Sequence, residues 1–206
     1  MRRITFSVLA LAAVAGCTGS DTVRPTNHDH LDLASLRNPA LEKSAEVQSG
    51  IAEVRRATAQ FHNFDKALEA GYTVWSPNPS TGVCPSNAEG NMGYHLVNLA
   101  LRGSAANPAG ADATIDLTRP EMLLYEKLPS GKMKLVGVEY LVFKEAWEAA
   151  QGAGAPPPQV LGQPLPASSH AFPGGTGSIA HYELHAWIWS PNPLGMFYPY
   201  NPDISC

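Results

Sequence analysis

The stretch from Met133 to Phe143 constrains the fold of this chain more than any other. Met-Lys-Leu-Val-Gly-Val-Glu-Tyr-Leu-Val-Phe is rich in β-branched and aromatic residues and carries no helix cap. A second apolar run, Glu121 to Glu126, precedes it, and Pro129-Ser130-Gly131-Lys132 lies between them. Two such runs around a Pro/Gly turn predict a β-hairpin. A lone hairpin is marginal in water, so further strands and a covering layer must exist. Tyr72–Trp75, Gly93–Leu99 and Ile179–Trp189 supply strand candidates. Between Asn38 and Tyr72, Val47, Ile51, Val54, Phe61, Phe64 and Leu68 recur at helical spacing. That spacing predicts one long amphipathic helix, or two with a break near Ser49-Gly50, and a second short helix is expected over Lys144–Gln151. Residues 152–177 hold 12 Gly or Pro among 26 and predict an extended surface excursion without regular structure. The expected class is therefore α+β: an N-terminal amphipathic helix packed on a mainly antiparallel sheet, with long Pro/Gly-rich loops.

The amino terminus sets the expected compartment. Arg2 and Arg3 precede an apolar run from Ile4 to Ala15 that is too short to span a bilayer, the pattern of an export leader over residues 1–16. Val14-Ala15-Gly16-Cys17 resembles the bacterial lipobox, in which Cys17 becomes the lipidated first residue and anchors the chain to a membrane. Thr18, not Asp, follows, which by resemblance to Gram-negative sorting implies the outer membrane, facing the periplasm. Residues 17–38 are polar and aperiodic and read as a tether, leaving 39–206 as one globular domain. Lipidation of Cys17 leaves Cys84 and Cys206 as an even pair in an oxidising compartment, and a disulfide between them is expected. Closing so long a loop is worth roughly 4–5 kcal/mol in the chain-entropy view.

Charge excludes one class of partner. Lys and Arg number 14 against 18 Asp and Glu, and removing the leader with its two arginines makes the balance more acidic still. Nucleic acid is not an expected partner. The nucleophile-elbow, P-loop, dinucleotide, HExxH and CxxCH patterns are missing from the sequence.

Chemistry concentrates on three strands. In Ile179–Trp189 the alternation sets His181, Glu183, His185, Trp187 and Trp189 on one face and Tyr182, Leu184, Ala186 and Ile188 on the other. Glu139 interrupts an apolar strand, where a buried, unpaired carboxylate would cost several kcal/mol. His95, Glu139 and His185 are therefore expected to converge as a metal site, a two-imidazole, one-carboxylate set suited to Zn²⁺, Cu²⁺, Fe²⁺ or Ni²⁺. The competing expectation is a metal-free hydrogen-bonded cluster. His181, Glu183, Trp187 and Tyr140 are the candidate ligand-binding residues around it. His181 and His185 lie about 13 Å apart along a strand and cannot share one ion. Three functions follow as expectations: an envelope lipoprotein binding a metal or small ligand, a metal-dependent enzyme with Glu139 or Glu183 as base, and a metal-free module using Trp187, Trp189 and Tyr140.

Met92-Gly93-Tyr94-His95, Leu135-Val136-Gly137-Val138-Glu139-Tyr140 and Leu184-His185-Ala186-Trp187-Ile188-Trp189 with Asn192-Pro193 and Gly195-Met196-Phe197 resemble a family of small exported bacterial proteins and lipoproteins sharing these motifs. The resemblance spans about Ala57 to Cys206. It implies a shared architecture and places His95, Glu139 and His185 within the motifs, but it implies no reaction.

Overall fold

The computed structural model describes residues 33–74, 84–172 and 174–206. The leader, Cys17, most of the tether and the segment Trp75–Pro79, which repeats as Trp189–Pro193, lie outside the described residues. No described helix is long and apolar enough to cross a membrane.

The helical region begins with α1 (Pro39–Glu42) and α2 (Ala45–Thr58). Asn38 and Ser44 cap them, accepting from the N–H groups of Leu41 at 3.1 Å and Val47 at 3.3 Å. Neither alternative holds as stated: the region is not one long helix, and no break falls at Ser49-Gly50, because α2 runs through both residues. Gly50 fits where it is: a Cβ there would sit 2.7 Å from Leu161 Cδ2, so the helix needs a residue without a side chain for Leu161 to pack. The breaks fall instead at Lys43-Ser44 and at the 3-10 turn Ala59–His62, after which Asn63 caps α3 (Phe64–Glu69). Leu36, in the stretch read as tether, is buried with α2 in the main core, so the packed structure begins before Pro39.

Beyond α3 come β1 (Tyr72–Val74), β2 (Ser86–Asn87), β3 (Gly90–Asn91), β4 (Tyr94–Asn98) and α4 (Leu99–Arg102). The expected hairpin follows as β5 (Met122–Lys127) and β6 (Met133–Phe143), then α5 (Lys144–Gln151). The Gly/Pro-rich excursion is not structureless, as its composition predicts. It contains β7 (Gln159–Val160), β8 (Gln163–Pro164) and β9 (Ala167–Ala171), and β9 pairs with β10 (Ser178–Ala186) as the edge of the sheet. Proline is tolerated there because an edge strand has one ladder side with no partner, and prolines flank β9 rather than interrupt it.

Six strands form one antiparallel sheet in the order β1-β4-β5-β6-β10-β9. One face carries Leu96, Leu123, Val138, Tyr140, Val142, Leu184 and Ala186, which cluster with Val47, Ile51 and Val54 of α2. The other face holds two smaller apolar clusters, one around Met122, Leu141, Phe143 and Phe172, the other of Leu124, Val136, Trp187 and Ile204. The polar side chains of His95, Glu139, Glu183 and His185 belong to this second face.

Strand β10 stops at Ala186, short of the expected Trp189. The Ile188 N–H turns back to the Ala186 carbonyl at 2.9 Å, and the N–H groups of Trp189 and Ser190 both donate to Val136 O at 3.1 Å. This resets the alternation, so Trp189 reaches the helices and its Nε1–H donates to Thr58 Oγ1 at 3.2 Å. The last residues return to the β2–β3 hairpin, where Asn91 and Asn201 exchange backbone hydrogen bonds of 2.9 and 3.1 Å. Gly90 makes this approach possible: its φ is +137°, and a Cβ would sit 2.5 Å from the Asn201 backbone. Cys84 and Cys206 are bonded, as the cysteine count predicts, and hold the same two segments together.

Candidate metal centre

Register decides which side chains meet. His185 on β10 stands directly opposite Glu139 on β6, and His95 reaches them from β4 across β5. His95 Nε2 lies 3.1 Å from Glu139 Oε2, His185 Nε2 lies 3.7 Å from it, and the two imidazole nitrogens are 3.4 Å apart. The circle through these three atoms has a radius of about 2.0 Å, so a point about 0.7 Å above their plane is about 2.1 Å from each, the bond length of zinc-like ions to nitrogen and carboxylate oxygen. All three side chains are 2–3 % exposed. Glu139 Oε2, although close to two imidazoles, accepts no hydrogen bond of acceptable geometry. With the two imidazole nitrogens it makes a group of three donor atoms that could hold a metal ion.

A second cluster of the same composition lies beside the first. His181 and Glu183 of β10 and His170 of β9 bring their Nε2 and carboxylate atoms together: His181 Nε2 is 3.0 Å and His170 Nε2 3.5 Å from Glu183 Oε2. The rings are oriented by backbone carbonyls, with His181 Nδ1 at 2.8 Å from Ile179 O and His170 Nδ1 at 3.2 Å from Ala171 O. Phe172 packs against both rings at centroid distances of 4.4 and 4.9 Å. Glu139 and Glu183 are diagonal neighbours across β6 and β10, and each carboxyl feels the other, which links the two clusters.

Electrostatics separates the two carboxylates. Burial pushes Glu139 up to about 7, against the attraction of His185. Burial would also raise Glu183, but hydrogen bonds from His170 and His181 outweigh it and hold this carboxyl well below the usual range. Burial lowers His95 to about 4, and lowers His185 as well, so both inner imidazoles present neutral nitrogen donors. Arg102, whose side chain lies 5.1 Å from the Phe172 ring centroid, is a buried cation on the same side, lowered to about 10 by burial and supported by Glu139.

Both clusters open onto a cavity of about 780 Å³. His95, Glu139, His185, Glu183 and His170 line it, and the β2–β3 hairpin and the segment around Tyr200 form its walls. The sequence-predicted trio is thus brought together, and His181 and Glu183 belong to the neighbouring cluster. Tyr140 and Trp187 are not at the cavity. Tyr140 lies on the helix-covered face, its hydroxyl donating to Leu117 O at 2.7 Å. Trp187 stacks behind His185 with centroids 6.4 Å apart and donates to Tyr198 O at 2.6 Å. Trp189 has left this face altogether, so the aromatic residues of the metal-free expectation do not form a binding wall. Two residues escaped the sequence reading, His170 and Arg102. The alternation of Ser168, His170 and Phe172 is the signal for the first, hidden by the surrounding glycines and prolines.

Comparison with family models, with curated proteins and with solved structures finds no match to this chain.

Proposed function

We propose that this chain is a bacterial envelope lipoprotein that holds a divalent transition metal ion at His95, Glu139 and His185 and offers it to a small ligand in the adjoining cavity. The observation that carries the reading is the triangle of donor atoms, whose edges of 3.1, 3.4 and 3.7 Å match the edge of about 3.4 Å expected for a tetrahedral ion with bonds near 2.1 Å. Two imidazoles and a carboxylate suit Zn²⁺, Cu²⁺, Fe²⁺ or Ni²⁺. Three protein donors leave a coordination position for water or ligand, the arrangement of catalytic rather than structural zinc sites. The leader and lipobox pattern around Cys17 support a lipid-anchored envelope location, an oxidising setting in which the Cys84–Cys206 disulfide persists.

One observation favours an enzyme as the second reading. Glu183 lines the same cavity and is held ionised beside the ion position, where it could take a proton from metal-bound water.

Metal analysis of the purified full chain tests the binding reading. An ion that is stoichiometric in the wild type and lost from the inner position in both His185→Ala and Glu139→Ala is expected. Absence of stoichiometric metal, with a melting temperature indifferent to added zinc or copper, overturns it.

A further inference from the structure

We infer that His170, His181 and Glu183 form a second divalent-metal site, so that the cavity floor holds two ions side by side. The inference rests on the inner site proposed above and extends it to a two-ion centre.

The argument starts from the imidazole hydrogens. A ring nitrogen facing a carbonyl must carry the proton, because the carbonyl only accepts. His181 Nδ1 faces Ile179 O at 2.8 Å and His170 Nδ1 faces Ala171 O at 3.2 Å. In each neutral ring Nε2 is then the lone-pair nitrogen, and both of these nitrogens point at one oxygen, Glu183 Oε2, from 3.0 and 3.5 Å. Without an ion these nitrogens can hydrogen-bond Glu183 only as N–H groups of positively charged rings; with an ion they serve as lone-pair donors beside the anionic oxygen. Two extra ring protons would supply the charge, but on imidazoles whose centroids are only 4.5 Å apart. One divalent ion supplies it at a single point and uses all three donors, with Nδ1–H bonded to backbone in the manner of metal-ligating histidines.

Access and surroundings agree with this. His170 is 31 % exposed and Glu183 12 %, and both line the cavity, whereas His181 is fully buried behind them. An ion can therefore enter from the cavity and meet a rigid inner donor. Glu139 and Glu183 are diagonal neighbours across β6 and β10 and line the same cavity, so the two ion positions lie beside a pair of neighbouring carboxylates.

Equilibrium dialysis of the purified full chain against Zn²⁺, with bound metal counted per chain, tests the inference. Two zinc ions per wild-type chain are expected, falling to one in His170→Ala and to one in His185→Ala. His170 lies on an edge strand and is partly exposed, so its replacement leaves the sheet intact, and circular dichroism checks this. A single wild-type ion that survives His170→Ala and disappears in His185→Ala overturns the second site and leaves the inner one standing. A single ion with the reverse behaviour overturns the inner site and the two-ion centre with it. Two ions that both survive His170→Ala place the second ion elsewhere and overturn the assignment, and no bound zinc overturns both sites. Should His170→Ala fail to fold, His170→Gln replaces it in the same dialysis and is read the same way.

Discussion

Glu139 and Glu183 stand on adjacent strands as diagonal neighbours and face the same cavity, yet their carboxyl groups are driven in opposite directions. Burial acts on both. Glu183 accepts hydrogen bonds from two histidines, and these outweigh the loss of solvent. Glu139 has two imidazoles just as near, but burial dominates and the carboxyl rises to about 7. The difference teaches that the orientation of donors, rather than their number or distance, decides whether a buried carboxylate is satisfied by the protein itself. In the absence of an ion the outer carboxylate is hydrogen-bonded by its histidines, whereas Glu139 Oε2 finds no hydrogen-bond partner.

Glu121 gives the sharpest control, being a third buried carboxylate with no histidine at all. It accepts from the Leu141 N–H at 3.1 Å, and burial lifts it to about 8 from an ordinary 4.5. Because the folded value lies above the unfolded one, its contribution to stability is full below about pH 4.5, declines as pH rises, and is lost by about pH 8. In metal-free protein, Glu121→Gln should remove a decline of roughly 5 kcal/mol, leaving the variant equal to wild type at pH 4 and more stable at pH 9. Urea unfolding across that range measures it, and parallel curves for the two proteins would break the argument from burial.

The paired substitution of the two site carboxylates comes next. In metal-free protein, Glu183→Gln should destabilise the fold by about 3 kcal/mol, since it strips a buried charge from two histidines that lean on it. Glu139→Gln should leave the metal-free melting temperature unchanged or raise it, while removing the inner ion. Equal losses in the two variants would erase the contrast. Chelation of the wild type is the third measure: at an ion concentration 100 times Kd, removing the metal should cost about 2.7 kcal/mol, or roughly 5–10 °C in Tm for a chain of this size. Differential scanning calorimetry with and without chelator reads it, and an unchanged Tm would place the inner cluster with the self-satisfied kind. The smallest effect is expected from Trp187→Phe, which removes the 2.6 Å hydrogen bond to Tyr198 O. About 1 kcal/mol should be lost with bound metal unchanged. Loss of metal in this variant would return Trp187 to the site.

Much of the framework was legible in the residues. The hairpin around Pro129–Lys132 is visible because turn chemistry and strand composition are local, and α5 is found at Lys144–Gln151 as its pattern predicts. The even cysteine pair needed only counting. The helical region was legible in its buried stripe, Val47, Ile51 and Val54, but not in its breaks, because whether Gly50 interrupts a helix depends on Leu161, which lies more than a hundred residues away. The edge strand β9 was hidden because the glycines and prolines around it speak for loops, and its pairing with β10 is a contact that composition does not report.

The candidate site divides along the same line. Alternation along one strand was enough to put His181, Glu183 and His185 on a common face and to forbid a single ion between the two histidines, because side-chain direction follows from backbone geometry alone. Which carboxylate each histidine meets was decided only by the folded chain: cross-strand register sets His185 opposite Glu139, and the return of β9 brings His170 to Glu183. Periodicity is a property of a segment, whereas register is set by the packing of every strand in the sheet at once.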